Sequence, residues 1–117
     1  MSKQPSLDQK RARYAWEKVQ GCGSEYMTLA KGAPALIMNN GLMQTLAFYE
    51  DKGKKHHTDL NRHLIGWLAM TFRKEESADF QAMMNVLFDA DSQKYRKATE
   101  EALALLRWIR QFSAVSQ

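Results

Sequence analysis

Apolar residues recur at intervals of three and four along almost the whole chain, a spacing that places them on one face of an α-helix. The first such stretch predicts a helix from about Leu7 to Gln20, with Ala15, Trp16 and Val19 facing a core. Ser6 and Gln9 have the spacing of a capping box at its start. Because no run of alternating apolar and polar residues marks a β-strand, the pattern predicts an all-α fold.

Glycine and proline divide the middle of the chain into shorter segments. Ser24 is predicted to cap a second helix, and Pro34 to sit in the first turn of a third. A further helix is expected over residues 42–52, ended by Gly53 and followed by a basic loop over residues 54–57. We therefore expect helix boundaries at each of these breaks.

Capping residues predict three more helices in the second half. Thr58 or Asp59 is expected to cap one, Ser77 a short one after a charged connection at 73–76, and Asp91 or Ser92 the last. A chain of 117 residues suggests one domain over residues 1–117, with residues 1–6 and 113–117 as flexible tails. The expected architecture is a compact bundle of about five to six helices.

The last predicted helix carries the longest apolar stripe. Its members are Tyr95, Ala98, Ala102, Leu105, Leu106, Ile109 and Phe112. Trp108 and Leu103 fall on either side of that stripe. A helix that is apolar beyond one stripe either lies centrally in a bundle or contributes to a protein interface. Trp108 would be a suitable anchor for such an interface.

Charge and cysteine content narrow the class of protein. The chain has 17 Lys and Arg against 13 Asp and Glu, a formal net charge of +4, which permits contact with phosphates without requiring it. Its only cysteine, Cys22, allows no internal disulfide. The N-terminus lacks an apolar signal core, and no apolar run is long enough to cross a bilayer, so we expect a cytoplasmic protein.

The first predicted helix presents a row of cations with an aromatic residue among them. Lys10, Tyr14 and Lys18 are spaced by four residues, with Arg11 beside the row and Arg13 further round. Cations can hold phosphates and a tyrosine can stack on an unpaired base. The alternative is an ordinary solvated helix face.

Two other basic clusters have simpler explanations. Lys52, Lys54 and Lys55 follow a predicted helix C-terminus, where positive charge is favoured by the helix dipole. A third cluster at residues 94–97 is balanced by Glu100 and Glu101, which can pair with it at helical spacing.

Residues with catalytic potential are few. His56, Asp59 and His63 could bind a divalent metal if they share a helix face, but their spacing matches no known metal motif. Cys22 has no base identifiable in the sequence, which favours an unreactive linker cysteine. We therefore expect no metal and no cofactor.

Three segments together resemble a known family. The first contains Arg11-Ala12 and Ala15-Trp16. The second contains Leu29-Ala30-Lys31, Pro34, Leu36-Ile37, Asn40-Gly41-Leu42, Gln44 and Leu46-Ala47-Phe48-Tyr49. The third contains Tyr95, Thr99, Glu101-Ala102-Leu103, Leu105-Leu106 and Trp108-Ile109-Arg110. In order and spacing these segments resemble the small fifth subunit of the type III-B Cmr complex, a CRISPR machine for RNA silencing.

That resemblance implies a role without catalysis. Members of the family are helical subunits that stack in several copies as a minor filament, beside other Cmr subunits, and help to hold the duplex of guide RNA and target RNA. Membrane and small-molecule substrates are not expected as partners. The resemblance favours RNA contacts by Lys10, Arg11, Arg13 and Lys18 first, and by Lys52, Lys54, Lys55 and Arg62 second.

Two other functions fit the sequence less well. The chain could be a helical adaptor between proteins with no nucleic-acid role, or a small metal-dependent hydrolase that uses His56, Asp59 and His63. Affinity for RNA that falls with salt would distinguish the RNA-binding subunit from the adaptor. Stoichiometric metal would favour the hydrolase.

Overall fold

The computed structural model describes residues 4–72 and 78–116, and these residues form six α-helices and no β-strand. The all-α fold class predicted from the apolar spacing is therefore confirmed. The helices are α1 (Leu7–Val19), α2 (Gly23–Asn40), α3 (Leu42–Lys52), α4 (Lys55–Phe72), α5 (Phe80–Phe88) and α6 (Ser92–Val115). None of them combines the length and apolar composition needed to span a bilayer.

The capping box at the start of α1 is present as predicted. The Ser6 hydroxyl accepts from the Gln9 amide N–H at 3.1 Å, and the Gln9 side chain accepts from the Ser6 amide N–H at 2.6 Å. These two bonds satisfy backbone groups that the first turn of a helix leaves open. The helix ends at Val19, one residue earlier than expected.

The predicted break at Pro34 is wrong, because α2 continues through it to Asn40. A proline inside a helix removes one hydrogen bond and costs about 3 kcal/mol. Ala30, Ala33 and Ile37 of α2 are buried, and this packing on both sides of Pro34 offsets that cost. Ser24 is not the cap either, since the cap position is Cys22.

The predicted basic loop before α4 is also wrong, because helix α4 begins at Lys55. The Thr58 amide N–H already donates to the Lys54 carbonyl at 2.9 Å, so Thr58 lies inside the helix. Asp59 likewise does not cap the helix. Its carboxylate accepts from Lys55 and Arg62, one turn before and after it.

The two C-terminal helices begin with aspartate caps. Asp79 accepts from the Ala82 amide N–H, and Asp91 from the Lys94 amide N–H, each at 2.8 Å. The predicted cap Ser77 and the charged connection at 73–76 lie outside the described residues. Helix α6 passes through Ser113, which is buried, and ends at Val115, so residues 113–115 are helical where a tail was expected.

Helix α6 lies against α1, α2, α3 and α4, and α5 closes the bundle over α3 and α4. Most of the predicted apolar stripe of α6 is buried, including Ala98, Ala102 and Leu105. Tyr95 and Phe112, at the two ends of the stripe, are half buried.

The predicted core residue Trp16 is instead 44% exposed and packs edge-on against Phe112. Phe48 of α3 is likewise 45% exposed. Aromatic side chains of this size are accommodated at the rim of so small a core.

A buried carboxylate ties three of these helices together. Glu101 of α6 accepts from Arg11 of α1 at 2.6 and 2.9 Å and from the Trp67 indole of α4 at 2.8 Å. The hydrogen bonds from Arg11, with that from Trp67, hold the pKa of Glu101 below its ordinary value against the opposing effect of burial. The local pairing with the cations of α6 expected from helical spacing therefore does not occur at Glu101.

We expect Glu101→Gln to lower the free energy of unfolding by about 3 kcal/mol, because it leaves the Arg11 guanidinium without its buried counter-charge. The measurement is urea unfolding followed by circular dichroism. Glu100→Gln is the matched control, since Glu100 is the exposed neighbour in the same helix. Equal stability of the two variants would contradict a structural role for Glu101.

Candidate nucleic-acid interface

Tyr14 bridges the surface between α1 and α4. Its hydroxyl donates to the His63 carbonyl at 2.6 Å, and its ring centroid lies 5.1 Å from that of Trp67. Burial raises the pKa of Tyr14 to about 12, so the hydroxyl stays a donor at neutral pH. The ring is thus half buried between the helices, whereas the row of cations had suggested a freely exposed one.

Gly66 makes room for this tyrosine. A Cβ atom built at Gly66 would lie 2.7 Å from the Tyr14 hydroxyl oxygen, closer than real Cβ atoms come to other heavy atoms. A glycine inside a helix costs about 1 kcal/mol relative to alanine. The absence of a side chain at Gly66 leaves room for the hydrogen bond from Tyr14 to the His63 carbonyl, which fixes α1 beside α4.

Three predicted cations of α1 lie on its solvent side. Lys10, Arg13 and Lys18 are exposed, and the Lys18 ammonium lies 5.3 Å from the centroid of the Tyr14 ring. Arg11 does not belong with them. Its side chain is 17% exposed, and its guanidinium is hydrogen-bonded to Glu101 and Asp8. Arg11 therefore stabilises the fold and has few N–H groups free to contact RNA.

Two cations of α4 share one carboxylate. Arg62 and Lys55 contact Asp59 at 2.9 and 2.7 Å, with side chains that remain 63% and 87% exposed. Burial acts to raise the pKa of Asp59, but the hydrogen bonds and charges of Lys55 and Arg62 hold it below the ordinary value. Asp59 thereby orders two exposed cations along one side of α4.

The structure brings the cations of α1 and α4 to the same surface. Lys18 and Arg62 line one cavity of about 360 Å³ between the two helices. Lys52 and Lys54 lie where α3 ends and α4 begins, and the Lys52 ammonium is 5.2 Å from the Phe48 ring centroid. We use the term basic belt for the seven exposed cations on α1, on α4 and at the junction of α3 and α4: Lys10, Arg13, Lys18, Lys52, Lys54, Lys55 and Arg62.

The histidines and Asp59 do not form the metal site considered from sequence. His63 Nδ1 is hydrogen-bonded to the Tyr26 hydroxyl at 2.8 Å, and His56 Nδ1 lies 3.7 Å from Glu25. Both oxygens of Asp59 are occupied by cations. Over residues 4–72 and 78–116, no three His, Cys, Asp or Glu side chains are grouped so that they could hold a metal ion.

The thiol of Cys22 is also unsuited to nucleophilic attack. It donates to the Lys18 carbonyl at 3.2 Å, and burial raises its pKa, which favours the protonated form. A reactive cysteine needs a lowered pKa. This agrees with a linker cysteine at the start of α2.

Trp108 and Leu103, the predicted interface residues, are half buried in α6. The Trp108 indole N–H donates to Asp8 at 3.0 Å, and its ring stacks on Phe112 with centroids 5.3 Å apart. Leu103 packs against the core from its edge. Both side chains therefore contribute to the bundle while keeping some surface exposed.

Comparison with known proteins gives one consistent result. Residues 7–115 match the family described as CRISPR-associated protein (Cas_Cmr5). The chain belongs to the Cmr5 family. It is 29% identical over 107 residues to the CRISPR system Cmr subunit Cmr5 of Thermus thermophilus, covering 87% of this chain and 88% of that one. It is 31% identical over 91 residues to the protein of the same name from Thermotoga maritima, covering 78% of this chain and 66% of that one.

A solved structure supports the same assignment. The crystal structure of a Cmr5 family protein from Thermus thermophilus superposes on this chain with a TM-score of 0.78 and 28% sequence identity. The match covers 96% of this chain and 97% of the other. The family suggested by the three sequence segments is therefore confirmed.

Sequence reasoning missed three residues that shape this surface of the Cmr5-family chain. Gly66 and Trp67 lie within an apolar helical run, and the spacing of Glu101 predicts only that it pairs with nearby cations of the same helix. An isolated glycine in a predicted helix was the available signal, because such a glycine often marks a close packing contact. No local pattern indicated that Glu101 would be buried.

We expect Gly66→Ala to destabilise this Cmr5-family protein by about 1 to 3 kcal/mol, because the new methyl group displaces Tyr14. Gly32→Ala is the matched control and should stabilise by about 0.8 kcal/mol, since Gly32 is exposed in α2 and a Cβ atom there would meet nothing within 4 Å. The double variant Tyr14→Phe/Gly66→Ala should recover part of the lost stability, because it lacks the hydroxyl group that the new methyl group would meet. Equal melting temperatures of the two alanine variants would contradict the contact.

Stability should fall as the pH drops from about 6.5 towards 4. Burial lowers the pKa of His63 from 6.5 to about 4, so in this range the unfolded chain binds a proton at His63 that the folded chain does not. The loss attributable to His63 is on the order of 3 kcal/mol. His63→Gln should flatten the dependence of unfolding free energy on pH, measured by urea titrations at several pH values. An unchanged slope would show that another group, such as His57, dominates.

Proposed function

We propose that this chain is a non-catalytic structural subunit of a type III-B Cmr ribonucleoprotein complex in antiviral defence. Several copies would stack as a minor filament beside the other Cmr subunits and help to hold the guide RNA against its target RNA. Membership of the Cmr5 family supports the assignment to a Cmr system. The relatives from Thermus and Thermotoga are themselves named as Cmr subunits.

The basic belt is the surface that we assign to RNA. Its seven exposed cations come from α1, from α4 and from the junction of α3 and α4, where Lys54 lies between the two helices. Each cation that meets a phosphate releases a counterion, so binding should weaken steeply with salt. The belt is the single observation that most favours RNA contact over an adaptor role.

The interior of the protein favours a scaffold over a catalyst. His63 is held neutral by burial, Asp59 is saturated by two cations, and Cys22 keeps its proton. A general acid or base works best with a pKa near the operating pH and with access to substrate. None of these three groups meets both conditions, so RNA cleavage would belong to other subunits.

Protein partners would meet the chain away from the belt. The exposed parts of Trp108 and Leu103 remain our candidates for a contact with other Cmr subunits or with a second copy of this chain. We place the assembled complex in the cytoplasm, where its RNA partners occur. Weak RNA affinity of one subunit would suffice, because several copies on one RNA supply avidity.

Reversing Lys10, Arg13 and Lys18 to Glu should lower the amount of RNA retained by the purified Cmr complex at least tenfold at moderate salt. All three residues are exposed in α1, so helix content should not change. RNA retention is measured by quantifying RNA that co-purifies with a tagged subunit.

The matched control reverses Lys94, Arg96 and Arg110, three exposed cations of α6 outside the belt. It lowers the net charge by the same amount and should leave RNA retention close to that of the unmodified chain. If the two triple variants lost equal amounts of RNA, net charge alone would determine RNA retention. Full retention by the α1 variant would favour the adaptor alternative.

A further inference from the structure

We propose that a recess between α1 and α4, beside Tyr14, binds one unstacked nucleobase of a single-stranded RNA segment whose phosphates lie on the basic belt. This proposal rests on the RNA-binding function proposed above and adds a specific subsite to it. The recess has a volume of about 470 Å³, within the range of small-ligand sites.

The walls of the recess are apolar on both helices. Leu7 of α1 and Met70 of α4 line it, and they remain 50% and 40% exposed. Tyr14, whose ring is half buried, and Trp67 also line it. A flat heteroaromatic base can stack on such groups, whereas a charged phosphate gains nothing from them.

Cations stand on both sides of this apolar recess. Lys10 and Arg13 line it directly. Tyr14 also lines the neighbouring cavity, where Lys18 and Arg62 lie. An apolar site for a base between two cationic sites matches the alternation of phosphate and base along a single strand. A peptide that merely carried one apolar side chain would leave the outer cations without partners.

The carboxylate of Glu17 adds a preference among the bases that could bind in the recess. Glu17 lines both cavities and is exposed on α1. A carboxylate repels phosphate but accepts hydrogen bonds from the amino group of a base, as in known contacts to cytosine. Glu17 therefore favours a base with an exocyclic amino group in the recess, with the phosphates held away from it by Lys10 and Arg13.

The first experiment titrates the full chain at low salt with a cytidylate hexaribonucleotide and with the same hexamer lacking its bases. We expect the complete hexamer to shift the NMR signals of the Met70 methyl group and the Trp67 indole N–H. The abasic hexamer should shift only backbone amides along α1 and α4. If both hexamers shift the belt and neither shifts Met70, the recess proposal is overturned while RNA binding stands. If neither shifts any signal, both proposals fail.

The second experiment fills the recess without changing charge. Met70→Trp should weaken binding of the complete hexamer about tenfold and leave binding of the abasic hexamer unchanged. Met38→Trp is the control, because Met38 is 71% exposed on α2 and lines no part of the recess. Circular dichroism checks that both variants fold. If Met70→Trp instead keeps full RNA affinity but releases a Cmr protein from the complex, the recess binds a protein side chain and the proposal is wrong.

Discussion

The fold depends on satisfying one buried carboxylate. Glu101 lies inside the bundle, where an unpaired charge would be strongly unfavourable, and Arg11 and Trp67 reach it from two other helices. Because these partners belong to α1 and α4, pairing the charge fixes both helices against α6. The same contact turns Arg11 inward, whereas Lys10, Arg13 and Lys18 of the same helix remain exposed.

A second close contact sets the surface between α1 and α4. Tyr14 reaches the His63 carbonyl only because residue 66 lacks a side chain. This contact holds Lys18 near Arg62 and divides the surface into a polar cavity and an apolar recess. The packing of Tyr14 between α1 and α4 therefore decides how the neighbouring cations Lys18 and Arg62 are arranged.

Reactive groups that are paired or protonated, together with exposed cations, fit the RNA-binding role that we propose. Groups that could react are buried, protonated or paired, as with Cys22, His63 and Asp59. Six of the seven exposed cations lie on helices, so their backbone would already be ordered if phosphates bound there. Stacking several such subunits would extend the basic belt along an RNA without requiring high affinity from any single copy.

Sequence alone determined the all-α class, the capping of α1 and α6, the buried stripe of α6 and the family, because these depend on helical periodicity and on the order of residues along the chain. It also singled out the seven cations of the belt, all of which are exposed. The continuity of α2 through Pro34, the early start of α4 at Lys55 and the inward turn of Arg11 were decided by tertiary structure. The inward turn of Arg11 results from its contact with Glu101, on a helix far away in sequence, whose burial no local pattern reveals.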